Sequence, residues 1–350
     1  MGRVRDIRSL PKEELTRILV QQGQPSFRAN QIYEWLWNKS ARTFEDMTNL
    51  PKDLRQWLDE NYAIQAIEVD KLQRSSDGTI KNAVRLHDGF VVESVLIPTD
   101  TRSTACVSSQ VGCSLDCTFC ATSRLKRMRN LEPGEIYDQV VTLNTQSQSY
   151  YGRPLSNIVF MGMGEPLMNY PNLISSIEKI CSPKGLGMAA KRITVSTSGI
   201  PKLIKKLAEE PFKFNLAVSL HSAIEETRNR IMPFTTRFPL PDLLDSLKYW
   251  YEQTGRPITF EYVVWKGIND QSKDAQALVR FCRAVPSKVN LIEYNAIGDP
   301  LFQQADAAAI DLYVDTLEKA SITVTVRRSR GQDIDAACGQ LANKSVEKEA

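Results

Sequence analysis

The sequence predicts an α/β protein: a partial (βα) barrel joined to a small, mainly helical N-terminal accessory domain. Short apolar runs recur from about residue 100, with amphipathic stretches between most of them, which is typical of βα units and a parallel sheet. Roughly six or seven units in about 240 residues are fewer than the eight of a closed barrel. The first ninety or so residues lack this alternation and predict helices followed by a hairpin.

The accessory domain is expected over residues 1–98. Pro11 stands at the start of a helical pattern, a second helix is predicted from about Phe27 to Trp37, and a third begins after Pro51. Residues 82–98 alternate apolar and polar side chains around Asp88-Gly89, which predicts a β-hairpin.

The barrel is expected over residues 99–342, followed by a polar C-terminal tail over 343–350. The predicted strands are the apolar runs 105–107, 158–161, 193–195, 216–220, 258–264, 289–292 and 322–326. The predicted helices between them include 135–145, 173–180, 243–251, 275–283 and 307–319. In such folds the chemistry lies at the C-terminal ends of the strands, so the residues after each run are the candidates.

Composition excludes several classes of protein. No stretch approaches the roughly 20 apolar residues of a membrane helix, and the N-terminus has no secretory apolar region, so a cytoplasmic location without membrane association is expected. Seven cysteines are an odd number, which disfavours a disulfide scaffold. Only two histidines occur, which disfavours a His-rich metal site and a hydrolase triad.

Basic residues are grouped although the net charge is only +3. The groups lie at Arg124–Arg129, Lys202–Lys206 and Arg327–Arg330. Such groups can neutralise phosphates. The alternative, ordinary solvated charge, is about equally probable for any one of them.

Three cysteines follow the first predicted barrel strand as Cys113-x-x-x-Cys117-x-x-Cys120. A structural zinc site needs four ligands, usually from two knuckles, and no second knuckle occurs. Three thiolates on a 4Fe–4S cluster leave one iron open for another ligand. This spacing is typical of radical-SAM enzymes, in which the open iron binds S-adenosylmethionine (SAM).

Small polar residues follow several other strands. Gly164 and Glu165 lie in Met161-Gly-Met-Gly-Glu-Pro166, where the glycines allow close backbone approach and the carboxylate could meet the SAM ammonium. The other candidates for SAM contacts are Ser196, Ser219, Leu220, His221 and Asn295. Each alone is more often a helix cap or a satisfied polar residue, but in series on strand ends they indicate one ligand.

Two further cysteines are expected near the mouth of the barrel. Cys106 lies in the first barrel strand, and Cys338 lies in a glycine-bounded loop after the last one. For Cys338 alone, an incidental thiol is as probable as a reactive one. Cys181 and Cys282 lie in helical patterns, where an inert buried thiol is the default.

These motifs together closely resemble the RlmN/Cfr group of radical-SAM RNA methyltransferases over nearly the whole chain. The segments that carry the resemblance are 106–120, 161–166, 196–199, 219–221 and 333–341. Pro166, Ser198 and the basic run Arg327–Arg330 resemble the branch that methylates C2 of adenosine rather than C8. The resemblance implies a barrel of the radical-SAM type.

The resemblance also implies roles for individual residues. Cys338 is the methyl carrier, which accepts a methyl group from one SAM. A second SAM on the cluster yields the radical that activates this methyl group for attack on C2, so two SAM molecules are consumed. Cys106 is the resolving thiol that releases the product through a transient disulfide, and Glu93 is the proton acceptor.

The implied substrates are 23S rRNA, at the peptidyl-transferase centre, and tRNA, at the adenosine 3′ of the anticodon. The N-terminal helices and the basic groups would then bind the RNA, so the accessory domain over residues 1–98 is expected to be an RNA-binding domain. An external one-electron reductase such as flavodoxin and a monomeric state are also expected. The alternatives are a C8 methyltransferase of the same group, a radical-SAM enzyme of another type, and a non-catalytic RNA-binding protein with a structural zinc.

Overall fold

The N-terminal region consists of three helices, as the sequence predicts. In the computed structural model, which describes residues 5–343, these are α1 (Lys12–Gln21), α2 (Arg28–Trp37) and α3 (Lys52–Asn61). Their apolar sides pack into the main core through residues such as Leu15, Ile32 and Leu54. The predicted tail lies outside the described residues except for position 343. Over the described range, no helix has the length and apolar character needed to span a membrane.

A single ten-stranded sheet forms the body of the protein. The strands in chain order are β1 (Glu68–Arg74), β2 (Ile80–Arg85), β3 (Val91–Pro98), β4 (Ser103–Cys106), β5 (Gln110–Val111), β6 (Arg129–Asn130), β7 (Asn157–Phe160), β8 (Ile193–Thr197), β9 (Asn215–Ser219), β10 (Ile258–Val263), β11 (Ser287–Ile292) and β12 (Val324–Arg327). The order in the sheet is β1-β2-β3-β4-β7-β8-β9-β10-β11-β12, while β5 and β6 form a separate pair.

The sheet has an antiparallel part and a parallel part. Within this sheet, β1 to β4 pair antiparallel, and each pair of neighbours in the series β4-β7-β8-β9-β10-β11-β12 is parallel. Seven parallel strands with helices between them confirm the predicted partial (βα) barrel. Because parallel strands point the same way, their C-terminal ends share one edge, and the candidate site residues follow those ends.

The predicted hairpin is continuous with the barrel rather than separate from it. Strand β3 pairs with β4 through Val95–Cys106 and Leu96–Ala105. The predicted boundary after residue 98 therefore falls inside one continuous sheet. Strand β1, which the sequence analysis did not identify, extends this sheet at its outer edge.

The connecting helices are α4 (Pro133–Tyr151), α5 (Tyr170–Cys181), α6 (Pro201–Ala208), α7 (Glu225–Ile231), α8 (Leu240–Thr254), α9 (Ser272–Arg283) and α10 (Ala307–Lys319). Local sequence sets their ends. Helix α4 begins with a capping box between Glu132 and Glu135 and ends at Gly152 in the left-handed conformation. Strand β10 is buried along its whole length, as expected for the centre of a covered parallel sheet.

A buried ion pair fastens the N-terminal region to the barrel. The guanidinium of Arg8 donates to both carboxylate oxygens of Asp138 on α4, at 2.9 and 2.8 Å. It also donates to Asp6 and to the carbonyl of Gln65. The Arg8 side chain is only 3% exposed, so this pair is largely shielded from water.

We expect the Arg8→Ala substitution to lower the free energy of unfolding by about 3 kcal/mol, because it leaves buried carboxylates without their cation. Urea denaturation followed by circular dichroism measures this loss. Arg5→Ala is the control, since Arg5 makes an exposed pair with Glu14 at 3.0 Å and should cost less than about 1 kcal/mol. Equal losses of unfolding free energy in the two variants would contradict the conclusion that the Arg8–Asp138 pair fastens the N-terminal region to the barrel.

Candidate active site

A cavity of about 800 Å³ opens at the C-terminal ends of the parallel strands. All of the site residues predicted from the sequence line it except Glu93 and Leu220. Those that do are Cys106, Cys113, Cys117, Cys120, Gly164, Glu165, Ser196, Ser219, His221, Asn295 and Cys338. Most of the candidate residues predicted from the sequence thus lie at one site in the structure.

The three clustered cysteines lie on a loop framed by the small β5–β6 pair. Gly112 begins this loop with a φ of +74°, and a Cβ there would lie 2.4 Å from the carbonyl oxygen of Lys126. Glycine is therefore required at this close approach. The loop is attached to the region around α7, because the backbone N–H and side-chain hydroxyl of Thr118 both donate to the carbonyl of Ile231 at 3.0 Å.

The thiols of Cys113, Cys117 and Cys120 suit an iron–sulfur cluster. All three are free and line the same cavity. Within residues 5–343, no three His, Cys, Asp or Glu side chains are arranged around one point that could hold a metal ion. A 4Fe–4S cluster held by three thiolates leaves one iron open for a further ligand. Burial raises the pKa of Cys113 to about 12, and a metal group bound there would favour its thiolate form.

Glu165 joins the ends of two neighbouring strands. One carboxylate oxygen accepts the backbone N–H of Leu167 at 3.1 Å, and the other accepts that of Ser198, just after β8, at 2.8 Å. Burial raises the pKa of this carboxyl. The carboxylate is predicted to meet the SAM ammonium, and part of its hydrogen-bonding capacity holds the two strand ends together.

His221 is held in a fixed orientation at the end of β9. Its backbone has a φ of +55°, and its Nδ1 accepts the N–H of Val263 at 3.2 Å. Its ring packs edge-on against Phe119 in the cysteine loop, with 4.8 Å between centroids. Burial, helped by the charge of Arg228, lowers the pKa of His221 to about 3, so the ring is neutral at ordinary pH.

The two predicted residues outside the cavity are both fully buried. Leu220 lies just after β9 between two lining residues, its side chain packs in the core, and its backbone N–H donates to the carbonyl of Glu261. Glu93 pairs with Lys81 at 3.1 Å. It also accepts the backbone N–H groups of Ala342 and Asn343, at 2.8 and 3.1 Å. Glu93 thus anchors the chain at residues 342–343.

Residues 328–343, here called the return segment, run from β12 back to the turn between β1 and β2. The carboxylate of Asp333 accepts the hydroxyl of Ser75 at 2.6 Å and the backbone N–H of Ser76 at 3.1 Å. The backbone N–H of Gly331 donates to Asp77 at 2.9 Å. These contacts carry the chain across the open side of the partial barrel.

The return segment places Cys338 opposite Cys106. Cys338 is exposed and lines the cavity, so its thiol faces that space. Asn295 holds the loop, donating to the carbonyl of Cys338 at 3.2 Å and accepting from Gln332 at 2.8 Å. Burial, and then the nearby Cys338, raise the pKa of Cys106 to about 12. The two thiols are thus neighbours in the fold although far apart in sequence.

A polar cluster around the buried Glu261 in the cavity wall has no counterpart among the residues predicted from the sequence. Glu261 on β10 accepts the side-chain amide of Asn290 at 2.9 Å and lies 3.6 Å from the guanidinium of Arg327. All three line the cavity. The carboxylate of Glu261 within the mostly apolar run 258–264 could have indicated this cluster, because charged residues are rarely buried without a partner.

Two family models match the chain. The Radical SAM superfamily model matches residues 107–279, which contain the cysteine loop and most of the barrel. The model of the ribosomal RNA large subunit methyltransferase N-terminal domain matches residues 5–64, which contain the three N-terminal helices.

Curated relatives match over nearly their full length. The chain is 66% identical to a probable dual-specificity RNA methyltransferase RlmN of Christiangramia forsetii, covering 98% of each chain. It is 65% identical to the protein of the same name from Flavobacterium psychrophilum, covering 98% of this chain and 99% of that one.

A solved structure agrees with these matches. The crystal structure of a radical SAM methyltransferase from Sphaerobacter thermophilus superimposes with a TM-score of 0.90 at 39% identity, covering 96% of this chain and 99% of that chain. The fold, the arrangement of the cavity and these similarities agree: the chain belongs to the RlmN family of radical-SAM RNA methyltransferases.

Proposed function

We propose that the cavity is where this chain methylates C2 of adenosine in 23S rRNA, at the peptidyl-transferase centre, and in tRNA, 3′ of the anticodon. The observation that carries the proposal is the position of Cys338, which faces a cavity that Cys106 and the three clustered cysteines also line. A methyl carrier, a resolving thiol and a radical generator need to share one space, because the methyl carbon must meet each in turn.

The cofactors supply what the side chains cannot. When bound, the 4Fe–4S cluster on Cys113, Cys117 and Cys120 together with two SAM molecules supplies a methyl group and a carbon radical. The residues around Glu165, Ser196, Ser219, His221 and Asn295 would bind SAM. The neutral ring of His221 offers a hydrogen-bonding nitrogen without adding a charge to the site.

Cys338 first takes up the methyl group and loses its thiol proton, forming a thioether. After hydrogen abstraction, the methylene carbon bonds to C2 of the adenine, and the adduct gives up one electron, which the oxidised cluster would accept. The C2 proton goes to a base, predicted to be Glu93. The Cys106 thiolate then forms a sulfur–sulfur bond to Cys338 while the carbon–sulfur bond breaks, the released carbon takes up a proton to become the methyl group, and the disulfide is later reduced. Desolvation at the cavity raises the pKa of both thiols, and the charge of Arg327 opposes this rise and so favours their thiolate forms.

Basic residues at the cavity mouth are suited to RNA phosphates. Arg102, Arg328 and Arg330 all line the cavity. In contrast, Arg129 of the earlier basic group is already paired with Asp88 and Glu135 at 2.6 and 2.7 Å. The target adenosine must leave its stack to reach Cys338, as in other enzymes that act on a nucleobase.

The proposal includes a cytoplasmic setting, a monomeric enzyme, and an external one-electron reductase such as flavodoxin. Its support is chemical, since the cysteines that the mechanism uses must be reduced. Size-exclusion chromatography tests the monomer, and reduction of the cluster by flavodoxin, followed by its absorbance, tests the donor.

We expect Cys338→Ala to abolish RNA methylation, because no thiol remains to carry the methyl group, while the cluster and SAM cleavage are retained. Mass spectrometry of nucleosides from 23S rRNA and tRNA measures 2-methyladenosine and separates it from the C8 isomer. Cys181→Ala, at a half-buried thiol on α5 remote from the cavity lining, is the control and should keep activity. Methylation by the Cys338 variant would overturn the covalent mechanism.

We expect Cys106→Ala to accumulate protein covalently joined to RNA through Cys338, because methyl transfer and attack on C2 proceed while resolution is blocked. Denaturing gels with labelled RNA, followed by peptide mass spectrometry, detect and locate the linkage. Free methylated RNA at the wild-type rate would show that Cys106 does not resolve the intermediate.

Glu93→Gln distinguishes a proton acceptor from an anchor. The contacts with Lys81 and the return segment favour anchoring, so we expect a stability loss of about 3 kcal/mol from the unpaired buried Lys81 and slower methylation of Cys338 itself. Urea denaturation and peptide mass spectrometry measure the two effects. A stable variant that methylates Cys338 normally but accumulates the RNA adduct would support the predicted proton acceptor instead.

A further inference from the structure

Arg228 is a fully buried arginine with no part in the proposed reaction. It lies on the short helix α7, and its Nη2 donates to the carbonyl of Ser198 at 2.7 Å. Its Nε donates to the carbonyl of Leu220 at 3.2 Å. Its Nη1 has no hydrogen-bond partner among residues 5–343. A buried guanidinium that is only partly satisfied requires an explanation.

The two carbonyls that Arg228 binds belong to the strand ends that form the SAM site. Ser198 follows Ser196 at the end of β8, and Leu220 follows Ser219 at the end of β9. Arg228 thus joins these two strand ends as Glu165 joins those of β7 and β8. Gly199 leaves room for this contact, since a Cβ there would lie 3.2 Å from Arg228 Nη2.

The helix that carries Arg228 is also attached to the cysteine loop. Just after α7, the backbone N–H of Phe234 donates to the carboxylate of Asp116 at 2.8 Å. The Thr118 contact with Ile231, the last residue of α7, adds a second attachment. Arg228 therefore lies between the loop that holds the clustered cysteines and the strand ends that hold SAM.

The charge of Arg228 faces the cysteines rather than a paired carboxylate. Within the described range, no ion pair joins it to Asp or Glu, and its strongest favourable electrostatic interaction is with Cys117, followed by Glu225. Burial lowers its pKa to about 10, so it stays protonated near neutral pH. Buried cations are costly unless an anion compensates them. Three thiolates outweigh the double positive charge of an oxidised 4Fe–4S core, so the loaded loop is such an anion.

We propose that Arg228 is a positioning residue that compensates the charge of the thiolate-bound cluster and holds the ends of β8 and β9 at the SAM site. The inference rests on the proposed assignment of the three cysteines to the cluster. A cation at this place stabilises the reduced, more negative cluster over the oxidised one, and so raises its reduction potential.

Two substitutions separate the charge from the hydrogen bonds. Arg228→Gln removes the cation, whereas Arg228→Lys keeps it but cannot reach both carbonyls with the same fork of donors. Arg230→Gln, at an exposed arginine on the same helix, is the matched control. The readouts are the midpoint potential of the cluster by EPR-monitored titration, the equilibrium affinity for SAM, and the melting temperatures of the cluster-free and cluster-loaded proteins.

We expect Arg228→Gln to shift the midpoint potential to a more negative value and to weaken SAM binding about tenfold, the equivalent of one hydrogen bond. Arg228→Lys should keep a potential near that of the wild type and still weaken SAM binding. Loading the cluster should raise the melting temperature of Arg228→Gln less than that of the wild type. Of the two cluster-free proteins, only the wild type contains the uncompensated cation that the cluster then compensates.

A wild-type potential in Arg228→Gln would overturn the inference, as would equal gains in melting temperature on loading. If Arg228→Gln fails to fold, a midpoint potential of Arg228→Lys clearly more negative than that of the wild type would overturn the inference. Failure of the proposed function looks different, because the wild-type protein itself would then bind no iron and sulfide, or would leave RNA unmethylated.

Discussion

The return segment crosses from β12, the last strand of the barrel, to the turn between β1 and β2, and the rest of the site depends on this crossing. A seven-stranded parallel sheet leaves its first and last strands apart, so Cys106 on β4 and the chain after β12 would otherwise be separated. The path is fixed by a hydrogen bond that the hydroxyl of Ser75 donates to Asp333 and by one that the backbone N–H of Ala342 donates to Glu93. The loop with Cys338 is thereby held over the cavity rather than extended into solvent.

Beneath this crossing, buried polar groups join the strand ends to one another. Glu165 links the ends of β7 and β8, and Arg228 links those of β8 and β9. Buried polar groups stabilise a unique arrangement only when their hydrogen-bonding capacity is met. Part of the capacity of Arg228 is unmet among the described residues, which suits a site completed by an anionic cofactor. The same side chains therefore serve packing in the protein and orientation at the site.

Short apolar runs predicted the barrel well because each buried strand must be apolar and each connecting helix amphipathic. The same logic predicted most of the site, since parallel strands bring their C-terminal ends to one edge. The direction of individual side chains was not predictable, and Leu220, a candidate for SAM contact, has its side chain buried in the core. Arg228 was missed because the sequence Glu-Glu-Thr-Arg-Asn-Arg resembles an exposed helix surface. The short link between β3 and β4 likewise concealed a continuous sheet.

The central claim is that the return segment holds Cys338 within bonding reach of Cys106 across the cavity. Mild oxidation of the cluster-loaded protein with a thiol-specific oxidant, followed by digestion without reduction and peptide mass spectrometry, tests it most directly. The account predicts a Cys106–Cys338 disulfide as the main product, while Cys181 and Cys282 stay as thiols. A Cys338 that remains open to alkylation yet forms no bond with Cys106 would contradict it.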